Sequence, residues 1–142
     1  MFKSELIGTT VSLYKLNEAL ATELASICMD PELWAYYIKS EVDMPDFVDS
    51  YIQKALENTA NGTYYTYVVI RNSDNKIVGS TRYYDIAPSD QRVAIGFTFY
   101  TQDAQGTGVN GECKSLLLNQ AFDTVFNRVE FHVDSFCAIR LC

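Results

Sequence analysis

Residues 92–133 constrain the fold more than any other part of the chain. Residues 92–100 alternate on a period of two and read as a strand. A turn bearing Gly106 and Gly108 follows, and then a segment whose apolar residues Val109, Cys113, Leu116, Leu117, Ala121, Phe122 and Val125 recur at helical spacing. Residues 128–133 return to a strand pattern. Strand, helix and strand in that order form a crossover, so the two strands are expected to pair in parallel with right-handed connectivity.

The segments upstream supply a different kind of sheet. Residues 64–71, 76–86 and 92–100 are rich in aromatic and β-branched residues. They are separated by turn signals at Ser73-Asp74-Asn75 and Pro88-Ser89-Asp90, which predicts an antiparallel meander. Residues 9–16 alternate around Val11 and Leu13 and read as a further strand. Three helices are expected before the meander. Asn17 caps one carrying Leu20, Leu24 and Ile27. Asp30-Pro31-Glu32 opens a second with Leu33, Trp34, Tyr37 and Ile38. Pro45-Asp46 starts a third, with Phe47, Tyr51, Ala55 and Leu56 on one face and Asn61-Gly62 ending it. No repeat, linker or low-complexity tract interrupts this order, so residues 1–142 are expected to form one α/β domain with a mixed sheet.

Composition narrows the function. Eleven Lys and Arg stand against 18 Asp and Glu, for a net charge of -7, and no basic cluster provides the footprint of a nucleic-acid binder. Such a surface suits a cationic partner, an amine among them. No apolar run is long enough to span a membrane, and the N-terminus runs into charge, so a soluble cytoplasmic protein is expected. Cys28, Cys113, Cys137 and Cys142 show no paired spacing, and His132 has no second imidazole, so no metal site is expected. Cys28 and Cys113 are expected to be buried, reduced core residues.

The turn at residues 105–110 is the candidate for chemistry. A glycine-bearing loop opening a helix gathers unpaired backbone amides at the positive end of the helix dipole, where an anion such as phosphate can bind. Gly106 and Gly108 allow close backbone approach. Nucleotide motifs fit less well. No Lys-Ser or Lys-Thr follows Gly108, which excludes the Walker pattern. Gly106-x-Gly108-x-x-Gly111 has dinucleotide-fingerprint spacing, but it follows an antiparallel meander and not the first strand of a parallel sheet.

The residues 92–100, the run Gln105-Gly106-Thr107-Gly108-Val109-Asn110-Gly111-Glu112-Cys113-Lys114-Ser115-Leu116-Leu117-Leu118, Ala121-Phe122-Asp123 and Arg128-Val129-Glu130-Phe131 together resemble the GNAT superfamily of N-acetyltransferases. Within it they are similar to the branch that includes the ribosomal-protein N-terminal acetylases. Leu6, Gly8, Val11, Leu13, Asp30 to Trp34 and Ile77-Val78-Gly79-Ser80-Thr81 fit the same branch, so the resemblance covers residues 5–134.

It implies the acyl-CoA N-acyltransferase fold, acetyl-CoA as cosubstrate and an amine acceptor. By that resemblance Gln105, Gly106, Thr107, Gly108, Val109 and Asn110 hold the pyrophosphate, with Asn110 where Gly or Ala is usual. The strand at 96–100 is implied to splay from 129–133, so that backbone groups among Phe97, Thr98, Phe99 and Tyr100 address the pantetheine arm and the thioester carbonyl. The carboxylate often found two residues before Gly96 is replaced by Ala94. Asp85, Glu130, Tyr83 and Tyr84 are the remaining acid–base candidates, with Trp34, Tyr36 and Tyr37 as acceptor-site linings; the catalytic residues stay open.

Family members continue after residue 135 with a further helix and two strands, whereas Phe136 to Cys142 matches nothing there. The expectation is therefore a domain with its C-terminal helix and strands missing, an open sheet edge, and a homodimer formed by strand exchange as one way to fill it. Three functions remain in play: an acetyltransferase, a non-catalytic acyl-CoA-binding remnant, and a protein with no ligand.

Overall fold

The computed structural model describes residues 2–28 and 44–131. Strands β1 (Glu5–Ile7), β2 (Val11–Lys15), β3 (Tyr65–Arg71), β4 (Lys76–Ala87), β5 (Arg92–Tyr100) and β6 (Arg128–Phe131) form one sheet in chain order. Neighbours are antiparallel from β1 to β5, and β5 and β6 pair in parallel. The meander and the parallel crossover expected from the sequence are both present, and the strand boundaries at 92 and 100 coincide with those expected.

Helices α1 (Glu18–Cys28) and α2 (Met44–Ala60) cover one face of the sheet, and α3 (Val109–Phe122) covers the other. On the α3 face Val11, Leu13, Val69, Val78, Val93, Ile95, Val109, Cys113, Leu117 and Ala121 pack together. On the other face Leu24, Cys28, Val48, Ile52 and Ala55 pack against Val68, Ile77 and Phe99. Asn17 caps α1 as expected, its Oδ1 accepting from the Leu20 amide at 2.9 Å.

One expectation, burial of Phe122 and Val125, needs correction, and two details add to the expected pattern. The buried stripe of α2 runs through Val48, Ile52, Ala55 and Thr59, while Tyr51 and Leu56 flank it half-buried. Spacings of four and three place those first residues on one stripe, with Tyr51 and Leu56 packed against the same core from its margin. Phe122 and Val125 are exposed, because α3 buries Gln120 and Ala121 and then stops. β1 carries too short an alternation to mark a strand in the sequence; it is three residues long and, among the described residues, pairs with β2. The Asp30-Pro31-Glu32 helix, Trp34, Tyr36, Tyr37, His132, Val133 and everything from Asp134 to Cys142 lie outside the described residues, as does the expected C-terminal edge.

β4 and β5 approach unusually closely. A Cβ on Gly79 would lie 2.3 Å from the Phe99 carbonyl oxygen and 2.7 Å from the Tyr100 ring. A Cβ on Gly111 would meet nothing within 4 Å. Gly79→Ala should therefore cost about 1–3 kcal/mol of stability through overpacking. Gly111→Ala should be neutral or stabilise by up to about 1 kcal/mol, since Ala favours helix. Urea denaturation of both variants beside the parent measures the difference.

Candidate functional site

The loop between β5 and α3 is built from the end of β5. Gln105 Nε2 donates to the Tyr100 carbonyl at 3.1 Å, and the Tyr100 hydroxyl donates to Asn110 Oδ1 at 3.0 Å. Thr107 Oγ1 donates to the Ala104 carbonyl. Val109 is buried beneath the loop and anchors the first turn of α3. Glu112, in that turn, accepts from the amides of Thr9, Thr10 and Val11 at 2.6, 3.0 and 3.2 Å, which fastens the helix start to the β1–β2 turn.

With its side chains so engaged, the loop turns backbone outward. Gly106 and Gly108 have φ of +75° and +86°, a region that favours glycine, and a Cβ on either would project into open space. Among the described residues no well-formed acceptor meets the amides of Gly106, Thr107, Gly108, Val109 or Gly111. Several donors thus converge at the N-terminus of a 14-residue helix with room in front of them. That arrangement fits an anionic group such as a pyrophosphate.

β5 carries a bulge. Ser80 pairs with Phe99 and Arg82 with Gly96, so Phe97 and Thr98 together oppose Thr81. Phe97 takes a left-handed φ of +51° and is 49% exposed. Thr98 and Thr81 share a hydroxyl hydrogen bond of 2.9 Å, and Phe99 is buried against the α1/α2 face. The Thr101 amide donates to Val78 on β4, so alternation turns the amide groups of Tyr100 and Thr98 toward the side of β5 on which β6 lies.

Val129, Glu130 and Phe131 pair in register with Val93, Ala94 and Ile95, not with the later part of β5. Among the described residues, the part of β5 from Gly96 to Tyr100 has no partner on β6.

Of the acid–base candidates, Tyr83 is excluded by position. Its ring is wholly buried on the α3 face, where its hydroxyl donates to the Leu117 carbonyl and accepts from Gln120 Nε2. Asp85 is exposed at a second β4 irregularity, with φ of +46°. Tyr84 and Glu130 do come together. Tyr84 pairs with Ala94, and Ala94 with Glu130, so the three form one row across β4, β5 and β6. Val93 and Val129, their chain neighbours, face α3, which puts the row on the opposite face. Burial first, and then the charges of Asp85 and Glu130, raise the Tyr84 phenol above its ordinary pKa. Glu130 is ion-paired at 2.7 Å with the exposed Arg128. A carboxylate, that of Glu130, therefore stands at the level and on the face of position 94, one strand away.

Sequence reasoning missed Arg82, two residues from Tyr84 on the same face. It is 2% exposed and sits among the rings of Tyr51, Tyr64 and Phe97. The signal was present in the sequence as a lone charge in the interior of a strand that is buried along most of its length.

Residues 11–136 match the sequence model of the acetyltransferase (GNAT) domain family. No curated protein matches the chain. Among solved structures, a probable acetyltransferase of the GNAT family from Chromobacterium violaceum superposes with a TM-score of 0.74 at 21% identity, over 99% of this chain and 70% of that one. RimL, a ribosomal L7/L12 α-N-protein acetyltransferase, superposes at 0.74 with 16% identity, over 96% and 76% of the two chains. Its complex with coenzyme A gives 0.73 at 16% identity, over 96% and 80%. These identities support the fold.

Among the described residues no group of His, Cys, Asp or Glu is arranged to hold a metal ion, and no helix is long and apolar enough to cross a membrane. Cys113 lies under α3 beside Tyr100, and burial pushes its thiol up to about 11; burial pushes the Cys28 thiol up to about 12. Both thiols therefore stay protonated at neutral and mildly basic pH, and neither is accessible. Iodoacetamide at pH about 8 should leave Cys28 and Cys113 unmodified in the folded protein and label both in denaturant, as read by peptide mass mapping.

Proposed function

Because the chain belongs to the acetyltransferase (GNAT) family, we propose that it transfers an acetyl group from acetyl-CoA to a primary amine on the α1/α2 face of β4–β6. The observation that carries the reading is the set of amides of Gly106, Thr107, Gly108, Val109 and Gly111 at the mouth of α3, for which the described residues supply no acceptor. In this reading the loop Gln105, Gly106, Thr107, Gly108, Val109 and Asn110 holds the pyrophosphate through its backbone. Gln105 and Asn110 contribute by bracing the loop against Tyr100. Phe97, Thr98, Phe99 and Tyr100 line the path of the pantetheine arm, with the outward amide groups of Thr98 and Tyr100 available to the arm and the carbonyl oxygen.

Acetyl-CoA supplies the thioester; the chain supplies position and charge. The amine nitrogen attacks the carbonyl carbon, the carbon–sulfur bond breaks, and the amine gives up one proton. A backbone amide donating to the carbonyl oxygen as it gains negative charge would contribute a few kcal/mol (roughly 3–4). Glu130 is the carboxylate placed to take the amine proton, directly or through water, with Tyr84 beside it. A protein N-terminus, the acceptor class named for RimL, and a small-molecule amine are both acceptors of this kind. Ala94 favours a second reading, in which the chain binds acyl-CoA without turnover.

Calorimetric titration with acetyl-CoA tests the loop. The parent should bind, and Gly108→Trp and Thr107→Glu should each lose binding by at least about tenfold, by filling the space and by repelling phosphate. Thr107 is exposed and its replacement strains no backbone, so a folded Thr107→Glu that binds normally counts against the assignment. Once an accepted amine is found, Glu130→Gln should lower kcat by about a hundredfold or more with acetyl-CoA affinity unchanged. Binding without turnover of any amine would support the second reading.

A further inference from the structure

Arg82 is a buried cation for which the described residues supply no anion. Its Nη2 donates to the Tyr51 hydroxyl at 2.9 Å, while Nε, equally buried, has no partner. Among the described residues no carboxylate pairs with it, although acidic residues outnumber basic ones in the chain. The guanidinium carbon lies 4.5, 4.9 and 5.2 Å from the ring centroids of Phe97, Tyr64 and Tyr51. Rings of this kind attract the cation but accept no in-plane hydrogen bond from Nε. A buried charge removed from water and left incompletely hydrogen-bonded is costly, and nothing in the packing requires it: an apolar side chain would fill the same space between the rings.

The position of the group limits what it serves. Arg82 pairs with Gly96, immediately before the bulge, and Phe97, 49% exposed, carries its surroundings to the surface. The Tyr84–Ala94–Glu130 row begins two residues along β4 on the same face, about 7 Å from Arg82 by strand rise, and crosses roughly 10 Å of sheet to reach Glu130. A guanidinium is suited to a planar anion that accepts from Nε and an Nη together, which is the geometry of a carboxylate. A carboxylate at Arg82 and an amine over the Tyr84–Ala94 end of the row, with Glu130 reached through water, would be separated by roughly the length of an extended ω-aminocarboxylate.

We propose that Arg82 anchors a carboxylate carried by the amine acceptor, making small aminocarboxylates the substrate class. This rests on the acetyl-transfer reading above, and its tests separate the two.

The first test is NMR of the Arg82 Nε–H signal, assigned by through-bond correlation in the parent protein. The probes are the N-acetyl derivatives of glycine, β-alanine and γ-aminobutyrate, each beside its carboxamide. At least one acid should shift the signal in a saturable way, and its carboxamide should not. A signal unmoved by every acid, or moved equally by acid and amide, overturns the proposal and leaves Arg82 a structural cation between rings. This readout needs no turnover, so it stands even if calorimetry finds no acetyl-CoA binding and the transferase reading fails.

The second test is thiol release from acetyl-CoA with the free aminocarboxylates and their amides. The acid should be preferred by about tenfold to a hundredfold in kcat/KM. Arg82→Met, which keeps an apolar chain between the rings, should erase that preference while acetyl-CoA affinity and turnover of the amide persist. A preference that survives in a folded Arg82→Met overturns the proposal.

Discussion

The architecture depends on one extra residue in β5. Upstream of the bulge, Val93 and Ile95 face α3; downstream, Phe99 faces α1 and α2 while Tyr100 faces α3. In an uninterrupted strand residues 93, 95, 97 and 99 would all share a face, and Phe99 would compete with Tyr100's neighbours for the α3 core. The residue inserted opposite Thr81 reverses the parity, so each core receives its own aromatic ring. Phe97 is what remains outside both: left-handed, half-exposed, and available to cover Arg82. The same reversal aims Tyr100 at the start of α3, where its hydroxyl meets Asn110. The bulge therefore sets both the position of the loop proposed to hold the pyrophosphate and the walls around Arg82.

α3 is held in place by polar contacts at both ends as well as by its apolar stripe. At its start Glu112 gathers three amides of the β1–β2 turn. Toward its end the buried Gln120 accepts from the Lys3 amide at 2.7 Å and donates to the hydroxyls of Tyr67 and Tyr83 at 2.9 and 3.3 Å. Tyr67 in turn donates to the Lys3 carbonyl at 2.7 Å, and Phe2 stacks on Tyr83 with centroids 4.3 Å apart. A buried network with each member partnered admits one arrangement and penalises the others. The N-terminal segment thus serves as a strap across the sheet, fixing the helix whose first turn presents the loop amides.

The sequence showed the frame more readily than the exceptions to it. The meander, the parallel crossover and the glycine demand at Gly106 and Gly108 follow from period and turn chemistry, which are local. The bulge was hidden because Val93, Ile95, Phe97 and Phe99 mimic an unbroken alternation, and only the three-dimensional competition between two cores reveals the reversal. On α2 the core-facing side expected from sequence holds, and Tyr51 lies at its margin, where its ring touches the core and its hydroxyl meets Arg82. Gln120 and Glu112 read as surface residues of a helix, since no local pattern tells that a polar side chain will be met by partners about a hundred residues away. Glu130 was visible as a candidate but its level was not. That required the register with Ala94, which pattern alone does not give.

The site's polarity follows from this geometry. The helix mouth at Gly106 to Gly111 offers positive potential from backbone without a charged side chain, as suits an anion that must arrive and leave. Arg82 offers a full charge, but one enclosed by rings that shut out water, where a single hydrogen-bonded anion is favoured far more strongly than at the surface. Glu130, half-exposed and tied to Arg128, keeps a negative charge one row away on the same face. A molecule with an amine at one end and a carboxylate at the other meets complementary charge at both, whereas a simple cation is attracted by Glu130 and opposed by Arg82. The acidic surface that by composition invites any amine is therefore narrowed inside the fold by one buried arginine. The selectivity of the site then depends on a residue that takes no part in proton transfer.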